Sequence, residues 1–199
     1  MGFWTDATLQ DPKRQYRFLV SLGRMPNGAT WYAKKVKKPS FTINPIEHKF
    51  LNHTFYYPGR VTWADVTVEL VDPVSPDAAI NTVAMVRAGG YQPPSSVTDV
   101  TTISKKNAVA ALNSVVIEQI DASGKMVESW RLENAWIAGV EFGELDYSGD
   151  ELTTITMTLK YDWASITSGV ESSRTGAKDP AGKDVDAAIF WERGTKSSP

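Results

Sequence analysis

The residues able to carry chemistry are few. His48 and His53 are the only histidines, and there is no cysteine. Thiolate nucleophiles, disulfides and zinc–thiolate sites are therefore excluded. The two histidines stand five apart in an aromatic stretch. They lack the His-Glu-x-x-His spacing that puts two ligands on one helix face, and they read as surface or interface residues. Glu141, Glu144, Asp146, Asp150 and Glu151 crowd one stretch. The segment from Asp146 to Glu151 is oxygen-rich, yet it lacks the alternating twelve-residue ligand pattern and distal glutamate of a calcium loop. It fits a hairpin turn better, and the neighbouring carboxylates read as a solvated surface rather than a catalytic pair. Lys34-Lys35-Val36-Lys37-Lys38 offers a nucleic-acid patch or, more simply, a solvated edge or subunit contact. Phosphate-cradling glycine loops and the nucleophile elbow are absent from the sequence. The expectation is a protein without cofactor, metal or enzymatic activity.

The elements around these residues are mostly strands. Tyr16–Leu22 alternates in part, Met25-Pro26-Asn27-Gly28 signals a turn, and Ala29–Val36 reads as the return strand of a hairpin. Pro39 removes a ladder donor and ends it. Residues 41–57 form an extended, aromatic-rich loop, and Pro58-Gly59 reads as a turn. Val61–Val71 is a strand with Ala64, Val66, Val68 and Leu70 on one face. Ser75 and Pro76 mark the start of the one convincing helix, carrying Ala79, Ile80, Val83 and Val86, and Gly89-Gly90 stops it. Residues 91–107 read as a long loop. Three strands follow, at Ala111–Asp121, Val127–Phe142 and Leu152–Trp163. In the second, Trp130, Leu132, Trp136, Ala138 and Val140 share a face, and a bulge at Gly143 continues it. In the third, Ile155, Met157, Leu159, Tyr161 and Trp163 point inward, and Thr154, Thr156 and Thr158 outward. Beyond Trp163, residues 165–184 are linker-like, and Val185–Trp191 regain apolar character. The domain division is thus 1–163 and a C-terminal extension 164–199, whose tip docks through Ile189, Phe190 and Trp191.

The chain has 199 residues and seven tryptophans, enough for a core without covalent staples. No apolar run is long enough for a membrane helix. The first fifteen residues lack a signal-peptide core, so the chain is expected to start in the cytosol, where the acceptor triplet Asn52-His53-Thr54 is idle. The net charge of −2 conceals an asymmetry. Residues 1–40 hold eight basic residues against two acidic ones, and residues 108–163 hold ten acidic residues against three basic ones. Two solvated faces are one reading. Head-to-tail self-association through complementary faces is the other.

The order of elements carries a resemblance. Phe18-Leu19-Val20, the Lys-rich stretch to Pro39, Tyr57-Pro58-Gly59-Arg60-Val61-Thr62-Trp63 and Val66-Thr67-Val68 come in sequence. Leu132–Ile137, Gly143–Tyr147 and Thr158–Trp163 follow. Together, over about residues 10–163, they resemble the tail tube proteins of contractile-tailed bacteriophages, a fold shared with type VI secretion and R-type pyocin tubes. The resemblance implies two packed antiparallel sheets forming a small β-barrel or sandwich with one flanking helix. It implies homohexameric rings that stack into a tube inside a contractile sheath. The partners would be the tail sheath protein, baseplate tube-initiation and tail-terminator proteins, and phage DNA passing through the lumen without specific binding. The location would be the virion tail, assembled in the host cytoplasm, with no membrane contact. Set against it, Glu141, Glu144, Asp146, Thr154, Thr156 and Thr158 become lumen candidates. Phe41, Phe50, Phe55, Tyr56 and Tyr57 become ring-stacking candidates, and Lys34, Lys35, Lys37 and Lys38 inter-subunit candidates. A phage-derived injection system, or a monomeric ligand-binding β-barrel, would be alternatives.

Overall fold

The computed structural model describes residues 12–23, 32–95, 102–169 and 189–190. The Met25–Gly28 turn, most of the linker-like segment and Trp191 lie outside the described residues. Among the described residues eleven strands occur in the order β1 (Phe18–Leu22), β2 (Ala33–Val36), β3 (Ser40–Phe50), β4 (His53–Ala64), β5 (Val66–Val71), β6 (Val115–Ile120), β7 (Met126–Glu133), β8 (Trp136–Glu141), β9 (Thr154–Lys160), β10 (Trp163–Ser168) and β11 (Ile189–Phe190). Helices α1 (Ala78–Ala88) and α2 (Lys105–Leu112) sit between β5 and β6.

Two open sheets form a sandwich. One runs β1-β6-β7-β10-β11, the other β2-β5-β9-β8. All described pairings are antiparallel. The first sheet turns Val20, Leu22, Ile117, Leu132 and Ala164 inward. The second answers with Val66, Val68, Leu70, Ile155, Met157 and Leu159. Each fully buried large aliphatic side chain contributes roughly 1.5–3 kcal/mol. The alternation of β9 sets its buried and half-buried residues on opposite faces, as its sequence predicts.

Several expected elements are drawn differently. No closed barrel forms. β1 and β2 are not a hairpin: β1 adds to β6 and β2 to β5, so each sheet gains an edge strand. A second helix, α2, occupies part of the expected loop and the start of the expected 111–121 strand. Ser104 caps it, its hydroxyl accepting from the Asn107 amide at 3.2 Å. The cap of α1 is Asp77 rather than Ser75. Its carboxylate accepts from the Ile80 amide at 2.8 Å, while Asp72 accepts from the Ala78 amide at 3.1 Å. Two of the unpaired donors at the helix start are thereby satisfied.

The expected strands 127–142 and 152–163 each break in two. Asn134 adopts a positive φ of 55° and passes the chain from β7 in one sheet to β8 in the other. Tyr161 and Asp162 return it from β9 to β10. Ala138 is therefore exposed within a register shift, Trp163 is partly exposed rather than inward, and residues 142–153 contain no strand beyond Gly143. Strand β10 carries the ladder to Ser168, so Ser165–Ser168 are not linker.

The two crossings are tied to each other. The Asp162 amide donates to the Glu133 carbonyl at 3.0 Å. The Asp162 carboxylate accepts from Asn134 Nδ2 at 2.8 Å and from Lys105 Nζ at 2.7 Å, which draws in α2. The Lys105 hydrogen bond, opposed by partial burial and helped by Asn134, holds the Asp162 carboxyl below its ordinary range. Asp162→Ala is expected to cost about 1–3 kcal/mol through the lost charge-assisted hydrogen bonds, read as a lower midpoint in urea unfolding at unchanged slope.

Candidate functional site

The most conspicuous surface is not a cleft but an arm. β3 and β4 pair only with each other and leave the sandwich as a two-stranded ribbon. At ~3.4 Å per residue, the eleven residues of β3 span roughly 35 Å. Every residue of β3 is exposed. Isolated two-stranded hairpins are marginal in water, and no third strand joins this one among the described residues. The expected loop 41–57 is thus a strand pair. The chain reverses at Leu51-Asn52, where Leu51 has φ 52°, and not at Pro58-Gly59, which lies inside β4.

A register shift between Ile43 and Pro45 places Pro45 opposite Pro58. Missing amide donors are tolerated there because no third strand asks for them. Gly59 is required by space: a Cβ on it would lie 2.4 Å from the Asn44 carbonyl oxygen. Directly opposed residues share a face. Beyond the shift, Ile46 faces Tyr57, His48 faces Phe55 and Phe50 faces His53. Glu47, Tyr56, Lys49 and Thr54 occupy the other face. The ring-stacking candidates Phe50, Phe55 and Tyr57 therefore share one apolar face. Tyr56 turns away, and Phe41 sits at the root. There Phe41 meets Trp63 at 5.1 Å, and Trp63 meets Tyr161 at 5.8 Å between ring centroids. Tyr161 donates from its hydroxyl to the Ala64 carbonyl at 2.8 Å. Burial is the main reason its phenol is pushed up to about 12. An aromatic chain thus anchors the arm to the core.

The second surface is the outer face of the four-stranded sheet. Thr156 lies between Glu69 and Glu141, and Thr158 between Thr67 and Gly139. With Thr154 they make a face of hydroxyls and carboxylates, on which Lys35 stands opposite Glu69 and Lys160 ends the threonine row. Glu144 and Asp146 follow in the exposed loop after β8. Asp146 accepts from the Ser148 amide at 3.0 Å and hydroxyl at 2.8 Å, which lowers its carboxyl pKa. Of the six lumen candidates, the sheet brings Glu141, Thr154, Thr156 and Thr158 together. It adds Thr67 and Glu69, whose contribution becomes visible only with the β5–β9 register. No group of three or more potential metal-binding side chains occurs among the described residues.

Two of the four candidate inter-subunit lysines have partners within the chain. Lys34 pairs with Glu69 at 3.1 Å. Lys38 pairs with Glu128 at 2.8 Å, and Lys13 reaches the same carboxylate. Trp130 Nε1 donates to it as well. Glu128 is 8% exposed and lies on the inward face of β7 with Trp130 and Leu132. Part of the charge asymmetry in the sequence is therefore consumed inside one protomer. The backbone of the C-terminal tip adds to the edge of the first sheet, with Phe190 opposite Ile166 and Ile189 opposite Thr167.

An apolar cavity of about 50 Å³ lies between α1, α2 and β8, lined by Met85, Leu112 and Trp136 among others. Small-molecule pockets usually run ~300–1,000 Å³, so this one offers no room for a ligand of that class.

Burial would raise the Glu128 carboxyl, but hydrogen bonds from Lys13, Lys38 and Trp130 outweigh it and lower the pKa to about 2. A carboxyl whose pKa falls on folding stabilises the fold above its unfolded value, here 4.5, and that stability is lost as pH falls through about 2. Glu128→Gln should reduce stability by about 1–3 kcal/mol at neutral pH. It should also flatten the loss between pH 4.5 and 2, measured by denaturant titration at several pH values.

The family model described as T4-like virus tail tube protein gp19 matches residues 14–164. No curated protein matches the sequence. Among solved structures, a chain of the anti-feeding prophage tube-terminating cap aligns with TM-score 0.61 and 19% identity, covering 82% of this chain and 95% of that one. A chain of the anti-feeding prophage baseplate aligns with TM-score 0.59 and 17% identity, covering 80% and 98%. A chain of the sheath–tube complex of an extracellular contractile injection system, in its extended state, aligns with TM-score 0.59 and 16% identity, covering 79% and 92%. At these identities the likeness is one of fold.

Proposed function

The chain belongs to the T4-like virus tail tube protein family, and from that premise we infer that it is the repeating subunit of a bacteriophage tail tube. Six copies close a ring, rings stack, and the hollow tube lies inside a contractile sheath and conducts DNA during ejection. Its partners are further copies of itself, the sheath, and the proteins that initiate and terminate the tube. The virion tail is its location, reached after assembly in the host cytoplasm. The observation that carries this reading is the β3–β4 arm, an exposed apolar ribbon that pairs with no other element among the described residues.

The outer face of the four-stranded sheet suits a conducting wall. Its carboxylates repel phosphates, and its threonines hydrogen-bond without holding a polyanion in place. Among the described residues β2 and β8 are the edge strands of this sheet, where neighbouring copies would extend the wall. Lys35 and Lys37, which form no ion pair among the described residues, remain candidates for contacts between subunits, and residues 164–199 for an extension docked by its tip. A second reading keeps the tube and changes the machine. That machine would be a phage-derived contractile injection system with no DNA to carry, and a chain of one such sheath–tube complex shares the fold.

Negative-stain microscopy of the purified chain should reveal six-fold rings or hollow tubes, and a monomer at all concentrations would refute the assembly. Phe50→Asp with Tyr57→Asp should abolish tubes while changing unfolding stability by no more than about 0.5 kcal/mol, as expected of exposed positions. Reversing Glu141, Glu144 and Asp146 to lysine should leave tubes intact and slow DNA release from assembled particles. Loss of tubes instead would place these residues in an interface.

A further inference from the structure

Both histidines of the chain fall on the same face of the same element. His48 lies opposite Phe55, and His53 opposite Phe50, so the two are diagonal neighbours near the tip of the arm. Their ring contacts are aromatic: His48 meets Tyr57 edge-on at 6.5 Å, and His53 meets Phe55 edge-on at 4.7 Å. The charged groups of this half of the arm, Glu47 and Lys49, stand on the opposite face. Tyr57 is the remaining titratable group beside the histidines. No carboxylate of β3 or β4 shares the face to support a protonated ring. Among the described residues, no other strand pairs with the arm, and Phe50, Phe55 and Tyr57 stay exposed on this face.

We propose that His48 and His53 form a proton-controlled latch, in which the distal face of the arm docks on a second copy of this chain only when both imidazoles are neutral. This rests on the tube reading given above. The occupant is a second copy because a tube is a polymer of one chain, and because this ribbon is too thin to bury its own side chains. The physical step is desolvation. A neutral imidazole enters an apolar contact readily, whereas an imidazolium without a carboxylate partner resists it. Docking then releases up to one proton per histidine that was charged in the free subunit, and acid drives the equilibrium back toward free subunits or rings. Two rings that must both enter the contact neutral should lower the docking constant by roughly 10- to 100-fold between pH 7.5 and 5.5, the range over which histidine acts as a charge switch. Replacing both histidines leaves every carboxylate in place, so a difference between the wild type and that variant reads the histidines.

The test is assembly of the purified full-length chain, followed by light scattering and negative-stain microscopy from pH 5.5 to 8.0. The wild type and the double variant His48→Gln, His53→Gln are compared. Both sites are exposed, so far-UV circular dichroism should be the same for the two proteins. The proposal expects the critical concentration of the wild type to rise by one to two orders of magnitude on going to pH 5.5, reversibly, and that of the double variant to stay level. It is overturned if wild-type tubes form equally well across the range, if acid strengthens them, or if the double variant keeps the wild-type dependence. Any of these leaves the tube reading standing. Absence of assembly at every pH removes the tube reading and the latch with it.

Discussion

Everything in this molecule depends on two places where the chain leaves one sheet for the other. At Asn134 and Ala135 it passes from β7 to β8, and at Tyr161 and Asp162 it passes from β9 back to β10. The crossings lie side by side, and Asp162 ties them through the Glu133 carbonyl and the Asn134 amide. A sandwich held only by aliphatic contact would leave its sheets able to slide, since burial is not directional. Here hydrogen bonds fix the offset between the sheets at one corner. Ala135 is fully buried at that corner, with no side-chain bulk to push the crossings apart.

The same corner sets the direction of the arm. Tyr161 is part of the return crossing, and its hydroxyl holds the Ala64 carbonyl at the arm's root, with Trp63 and Phe41 stacked outward from it. The chain then runs from β4 through Asp65 directly into β5, a central strand of the second sheet. The arm is thus an outgrowth of a core strand rather than a loose insertion. In a subunit that must meet identical neighbours, a projecting element is useful only if its root is stiff, because side-chain and loop ordering at an interface weakens association.

Much of this was legible in the residues, and the exceptions have physical reasons. The alternation of Thr154–Lys160 identified β9 and both of its faces, because a half-buried strand writes its environment in period two. The 127–142 and 152–163 segments looked continuous because alternation records which way a side chain points, not which sheet it points into. Asn134 was the available sign, since asparagine tolerates positive φ. Pro58-Gly59 looked like a turn because that pair usually is one. In a ribbon without a third strand it serves as a register shift instead. The short α2 was hidden by its alanines, which carry little amphipathic signal, and by lysines at its start. The lumen candidates on β8 and β9 could be named from alternation, but Thr67 and Glu69 needed strand register. No local pattern told that Glu128 would take Lys13 and Lys38 as partners, from more than 80 residues away.

The opposed prolines of the arm have one more consequence. A long, exposed, apolar β-ribbon is an invitation to runaway strand addition, the route to amyloid-like ladders. Pro45 and Pro58 sit near the middle of that ribbon, at the register shift. Neither offers an amide hydrogen to an incoming strand, and the shift bends the edge there. A misaligned copy would find the hydrogen-bond template interrupted midway, while side-chain docking on the face stays open. Such an arm can be sticky in one geometry and inert in another. The interrupted template lets an exposed apolar ribbon persist without feeding a fibril.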